Sequence, residues 1–210
     1  MRYPTPAVFG AMSVPALAYF LAASLVAQFA RVDYDWIEAP LSFYLIGPGS
    51  GWLVAGFFAL GAGILCVGMG LHAHVQATAF RSAASGLFIL AALATWAVAL
   101  IPTDLPGGAG RTLHGVLHIA VASLAFLSIS AAMLVQSWCL RRDPAWHGHF
   151  RKAFGLALLT FVSLAVYALW RALPRGISEK FVILLIVLWL LNAGRWLMQT
   201  RLPQPQAARA

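Results

Sequence analysis

The residues best suited to chemistry lie in one short stretch, IPTDLPGGAGRTLHGVLH, from Ile101 to His118. It holds Asp104, and then His114 and His118 four residues apart at the head of an apolar run. Side chains at i and i+4 share one helix face, so the two imidazoles can reach one metal ion. A carboxylate could complete such a site and leave a position open to water. Zinc lowers the pKa of bound water to about 7, which supplies hydroxide at neutral pH. A short glycine-rich loop joins Asp104 to His114, so this acid is the nearest partner. Glu179, at the head of another apolar run, is the second. The expected metal set is therefore His114, His118 and Asp104, with zinc as the ion. Glu179 is the expected general base or a further ligand. Ser42, in PLSFYLIGPGSG, can donate a hydrogen bond to an oxyanion or to metal-bound water. Tyr44 can do the same or anchor at a membrane interface.

The competing reading is structural. Two histidines at a helix end also hydrogen-bond to backbone or water, and HxxxH is a short motif. The remaining histidines, His72, His74, His147 and His149, read as solvated interfacial groups. Bis-histidine haem needs histidines facing each other across a bundle. No second histidine stands opposite the His114–His118 pair at its end of the chain's spans, so no haem is expected. The sequence holds no G-x-S-x-G elbow and no phosphate-binding Walker loop.

The elements that must position these groups are membrane spans. The chain of 210 residues is 61% hydrophobic and only 10% charged, against about a quarter charged in soluble domains. Six runs are long enough to cross a bilayer, which takes roughly 20 apolar residues. They are about 8–30, 52–71, 83–101, 113–138, 153–173 and 180–198. Backbone groups in lipid must be paired internally, so runs this long form helices. The expected fold is an all-α bundle of six transmembrane helices over residues 1–202, followed by a loose tail at 203–210. The first run is too long for the core of a signal peptide and reads as a retained span. Cys66 and Cys139 lie in or beside apolar runs and read as free thiols.

The net charge of +8 comes from cations at span ends, not from a basic face, so nucleic acid is not an expected partner. With the N-terminus inside, nine Lys and Arg residues fall inside and five outside, which favours both termini in the cytoplasm. The connection between the fifth and sixth spans is basic against that trend. This topology gathers Asp33, Asp35, Glu38, Ser42, Asp104, His114, His118 and Glu179 at the outer face. The second span repeats glycine every seven residues, at Gly56, Gly63 and Gly70 and at Gly61 and Gly68. Such faces let helix backbones approach closely.

Three stretches together resemble a known family. They are PLSFYLIGPGSGWLVAGFFALG, IPTDLPGGAGRTLHGVLHIAVASLAF and RGISEKFVILLIVLWLLNAGRWL. They are similar to the bacterial and archaeal integral membrane proteins grouped as domain of unknown function 998. The matching positions are Ser42, Pro102, Asp104, Gly115, His118 and Glu179. That family name carries no activity with it. A more distant similarity is to alkaline ceramidases and adiponectin-receptor-like proteins, helical membrane hydrolases that use zinc. The resemblance implies a site built on Ser42, Asp104, His114 and His118. This chain departs in having six spans, not seven, and in carrying the histidine pair on the fourth; a third ligand histidine is not evident.

The functional expectation is a metal-dependent hydrolase of the bacterial cytoplasmic membrane, acting on an amide or ester of a lipid at the outer face. The alternative is a non-enzymatic membrane protein whose outer polar cluster is structural or binds a lipid headgroup. Salt bridges between Asp104 or Glu179 and Arg111, Arg171 or Arg175 would mark the structural cluster. A transporter needs polar groups near the bilayer middle, where Thr95, Ser123, Thr160 and Asn192 are nearly all there is.

Overall fold

A computed structural model describes residues 5–75, 80–105, 107 and 111–200. The tail at 203–210, the cations Arg2, Arg201 and Arg209, and residues 106 and 108–110 of the loop before Arg111 lie outside the described residues. Six helices carry the fold. They are α1 (Pro6–Ala30), α2 (Gly51–His74), α3 (Arg81–Leu100), α4 (Leu113–Arg141), α5 (Phe150–Leu169) and α6 (Arg175–Gln199). All six are long and apolar enough to cross a membrane, and the chain is a multi-pass membrane protein. The described residues contain no strand.

Consecutive helices pack side by side, and α1 against α6 closes the ring. The connections α1–α2, α3–α4 and α5–α6 thereby share one end of the bundle. The two glycine series on α2 serve two different neighbours. Gly56 and Gly63 meet Phe20 and Leu17 of α1, while Gly61 and Gly68 meet Trp96 and Phe88 of α3. A seven-residue step nearly completes two helical turns, so each series keeps one face. With lipid as solvent, this close contact is what holds helices together. Indole groups add anchors: Trp96 Nε1 donates to Phe58 O at 3.0 Å, and Trp189 Nε1 donates to Ala153 O at 3.0 Å.

Helix ends differ from the apolar runs where charge begins. The sixth run starts at Lys180 by hydropathy, but α6 starts at Arg175, directly after Pro174. Proline cannot continue a helix but opens one readily. The Arg175 guanidinium of the first turn lies over the Tyr167 ring and donates to Tyr167 O at 2.6 Å, which ties the start of α6 to the end of α5. The fifth run also ends early: α5 stops at Leu169, and a turn leads to Pro174. Glu179 is consequently not at the mouth of α6 but one turn inside it, and only 9% exposed.

The long α1–α2 connection folds back over this end. It includes a single 3-10 segment, Leu41–Leu45, which carries Ser42 and Tyr44. Arg31 fixes its base. The guanidinium pairs with Asp33 and donates to Ile46 O. The pairing holds the Asp33 carboxyl below the usual carboxylate range. Tyr44 is not an exposed interfacial anchor. It is 1% exposed and packs edge-on against Tyr34, and burial pushes its phenol upward.

Candidate functional site

The α3–α4 corner is organised around Asp104. Its Oδ2 accepts from the Thr112 backbone N–H at 3.0 Å, and its Oδ1 from the Thr112 hydroxyl at 2.7 Å. Thr112 is the N-cap of α4, and its oxygen accepts from Gly115 N–H at 3.1 Å. These bonds hold the Asp104 carboxyl below the usual carboxylate range, with the hydroxyl of Thr112 the largest cause. An acid at a helix N-terminus also complements the helix dipole. A Cβ at position 115 would collide with this carboxylate, so the corner closes on a glycine.

One helical turn further on, His118 is buried at 4% exposure. Its Nδ1 lies 2.6 Å from the carbonyl oxygen of Ile101. A carbonyl can only accept, so Nδ1 carries the proton. In the neutral form of the ring Nε2 is then the bare nitrogen, which can take a proton or a ligand.

Glu179 reaches from α6. Its Oε1 accepts from Leu41 N–H at 3.1 Å, across 138 residues of sequence, and its Oε2 accepts from the Tyr167 hydroxyl at 3.2 Å. The same turn of α6 is stitched to the α1–α2 connection at two further points. Ile177 N–H donates to Ile37 O at 2.8 Å, and the Lys180 ammonium donates to Trp36 O and Ala39 O.

Ser42, His118 and Glu179 line one central cavity of about 80 Å³. Thr95 joins them at its wall, with its hydroxyl donated to Ala91 O at 2.8 Å. The rest of the lining is hydrocarbon, including Phe20, Phe57, Ile64, Phe126 and Ile186. The cavity is thus polar at the end near the connections and apolar toward the bundle centre. A space of this size admits several waters or a narrow apolar chain.

The structure divides the five residues singled out from the sequence. Ser42, His118 and Glu179 come together on the cavity. His114 is exposed, and neither it nor Asp104 lines the cavity. Both Asp104 oxygens are engaged by Thr112. Among the described residues no group of three or more His, Cys, Asp or Glu side chains is placed to hold a metal ion. The salt bridges of a structural clamp are not there either. Among the described residues neither Asp104 nor Glu179 pairs with Arg111, Arg171 or Arg175, whereas Arg31 pairs with Asp33 at 2.7 Å.

Two contributors were not singled out from the sequence. Thr112 was signalled by a hydroxyl residue directly before a helical run, the ordinary N-cap pattern. Tyr167 had no such signal, because its contact with Glu179 depends on how α5 meets α6. At the opposite end His147 is exposed as expected, while His72, His74 and His149 are engaged by the protein. His72 Nδ1 is 2.7 Å from Ser85 Oγ, and His149 stacks on Trp196 with ring centroids 4.5 Å apart.

The comparisons with curated proteins and with solved structures gave no match. The family comparison did: residues 14–196, which carry the whole site and all six helices in whole or in large part, match the profile described as a protein of unknown function, DUF998, and the chain belongs to that family.

Proposed function

We propose that this protein hydrolyses an ester or amide of a lipid, with the reacting carbonyl held at the polar end of the cavity by Ser42, His118 and Glu179. The observation that supports it most is His118, buried on the cavity wall with Nδ1 tied to Ile101, so that the neutral ring leaves Nε2 bare. That is the tautomer a general base needs. In this reading Nε2 takes a proton from water as the water oxygen bonds to the carbonyl carbon. The Ser42 hydroxyl donates to the developing oxyanion. The carbon–oxygen or carbon–nitrogen bond then breaks, and His118 returns its proton to the leaving group. Glu179 is engaged by Leu41 and Tyr167, so it positions the Ser42 segment. The apolar lining takes the chain of the substrate.

The residues present do not gather into the three-ligand zinc site that the sequence suggested, and no step here runs through a metal. In a metal-dependent form of the reaction, His118 would be the residue on the cavity side to hold the ion, which would supply an activated water. The second reading is binding without turnover. It is favoured by the hydrocarbon lining and by the engagement of both Glu179 oxygens within the protein.

The test is turnover of fluorogenic lipid esters and amides by purified protein in vesicles, beside His118→Ala and Ser42→Ala, with elemental analysis before and after chelation. Product release that His118→Ala abolishes supports the hydrolase. Stoichiometric retention of lipid without product sinks it in favour of binding. Activity lost on chelation and restored by zinc assigns the metal-dependent form.

A further inference from the structure

The span with least cover is α5, whose apolar stretch is only 22% buried. Two shallow grooves run along it on either side of a ridge formed by Val162 and Val166, which line both. Their volumes are nearly equal, about 450 and 440 Å³. One is walled by α6 through Phe181 and Leu184 and includes Lys180. The other runs over Phe161 and includes Arg171. The α5–α6 connection and the first turns of α6 carry Arg171, Arg175 and Lys180 against one acid, Glu179, and that acid is buried and turned to Leu41 and Tyr167. This is the basic connection that runs against the charge trend of the other loops. The Lys180 ammonium has three N–H groups and gives two to Trp36 O and Ala39 O, which leaves one for a ligand.

We propose that this face binds one diacyl lipid with an anionic phosphate headgroup. Its two chains straddle the Val162–Val166 ridge, and its phosphate lies between Lys180 and Arg171. The paired grooves call for two chains, and a cation on each groove calls for negative charge. The site is separate from the cavity, from which Val162, Val166, Arg171 and Lys180 are all absent. Its occupant is retained, not turned over.

The experiment is native mass spectrometry of the full chain, released from neutral detergent after incubation with equal amounts of phosphatidylglycerol and phosphatidylcholine. One phosphatidylglycerol per chain is expected, retained in preference to phosphatidylcholine. Arg171→Gln removes an exposed cation and weakens that preference ~5-fold, the share of one basic residue near an anionic surface. Val166→Trp, at a half-exposed position, fills both grooves and abolishes retention. Equal retention of the two lipids overturns the proposal, as does a preference that Arg171→Gln leaves unchanged. A dimer that Val166→Trp breaks, with no lipid retained by the wild type, overturns it in favour of an interface between copies.

Discussion

Nδ1 of His118 stands 2.6 Å from the carbonyl oxygen of Ile101, so the second turn of α4 is tied to the residue that closes α3. The bond does two things. It satisfies a carbonyl at the end of a helix, and it fixes which ring nitrogen is bare. The two roles separate by substitution. His118→Asn keeps a short N–H donor in reach of Ile101 but has nothing in place of Nε2. His118→Ala removes both and leaves the carbonyl without its partner, at a cost of about 1–3 kcal/mol. Thermal unfolding in detergent is expected to place Asn near the wild type and Ala below it, with lipid hydrolysis lost in both. An Asn variant that keeps full turnover removes His118 from the chemistry.

Glu179 offers a second separation. Its two oxygens accept from Leu41 N–H and Tyr167 OH, and its position is 9% exposed. Glu179→Gln keeps the acceptor for Leu41, and the phenol can rotate to accept from the new amide. Glu179→Ala strands a backbone N–H and a hydroxyl, each costing about 1–3 kcal/mol. The expected order of unfolding midpoints is wild type close to Gln and well above Ala. Tyr167→Phe is expected to lose about 1 kcal/mol. A Gln variant that folds normally but has lost turnover shows that the charge of Glu179, and not only its geometry, is used.

Asp104 gives the protein an acid-sensitive corner. Its folded pKa lies below the ordinary 3.8 because Thr112 donates to both oxygens. The stabilisation is therefore complete above 3.8 and is lost as pH falls through the folded value. Asp104→Asn retains an acceptor and cannot titrate. The gap in unfolding midpoint between wild type and Asp104→Asn should be widest near neutrality and shrink below pH ~3.5, under the model-peptide value of a carboxyl. A gap independent of pH places the stabilisation in shape and not in charge.

How much of this was legible in sequence depends on what each feature rests on. The six helices follow from run length alone, because lipid leaves an apolar run of this size no other paired backbone. His118 and Glu179 stood out as ionisable groups beside apolar runs, and both line the cavity. The HxxxH spacing put His114 with His118 correctly on one face, but spacing says nothing of depth. His114 is one turn nearer the rim, where no neighbouring helix covers it. Asp104 was near the pair as expected, yet its oxygens were claimed by Thr112, a competition between local partners that residue types alone do not rank. The depth of Glu179 was hidden because hydropathy begins the sixth run at Lys180, while the helix begins at Arg175 behind Pro174.

Gly176 tests whether the α1–α2 connection is held by α6. A Cβ there would lie 2.7 Å from the carbonyl oxygen of Ile37 and closer still to that of Ala39, so the obstacle is backbone and cannot swing aside. Gly176→Ala must push the connection away from α6. That breaks the Ile177–Ile37 hydrogen bond and moves Leu41 from Glu179, with Ser42 next to it. Overpacking of this kind costs about 1–3 kcal/mol. The helices themselves lie below the contact, so the expected result is a lower unfolding midpoint with unchanged helical circular dichroism. Hydrogen exchange should quicken at Leu41 and Ile177 but not in the middle of α2. Lipid turnover should fall even though His118 and Glu179 are intact, because Ser42 has left the cavity wall. Unchanged exchange at Leu41 would mean that the connection is held from α1 and Arg31 alone, and that the link from Glu179 to Leu41 follows the fold without supporting it.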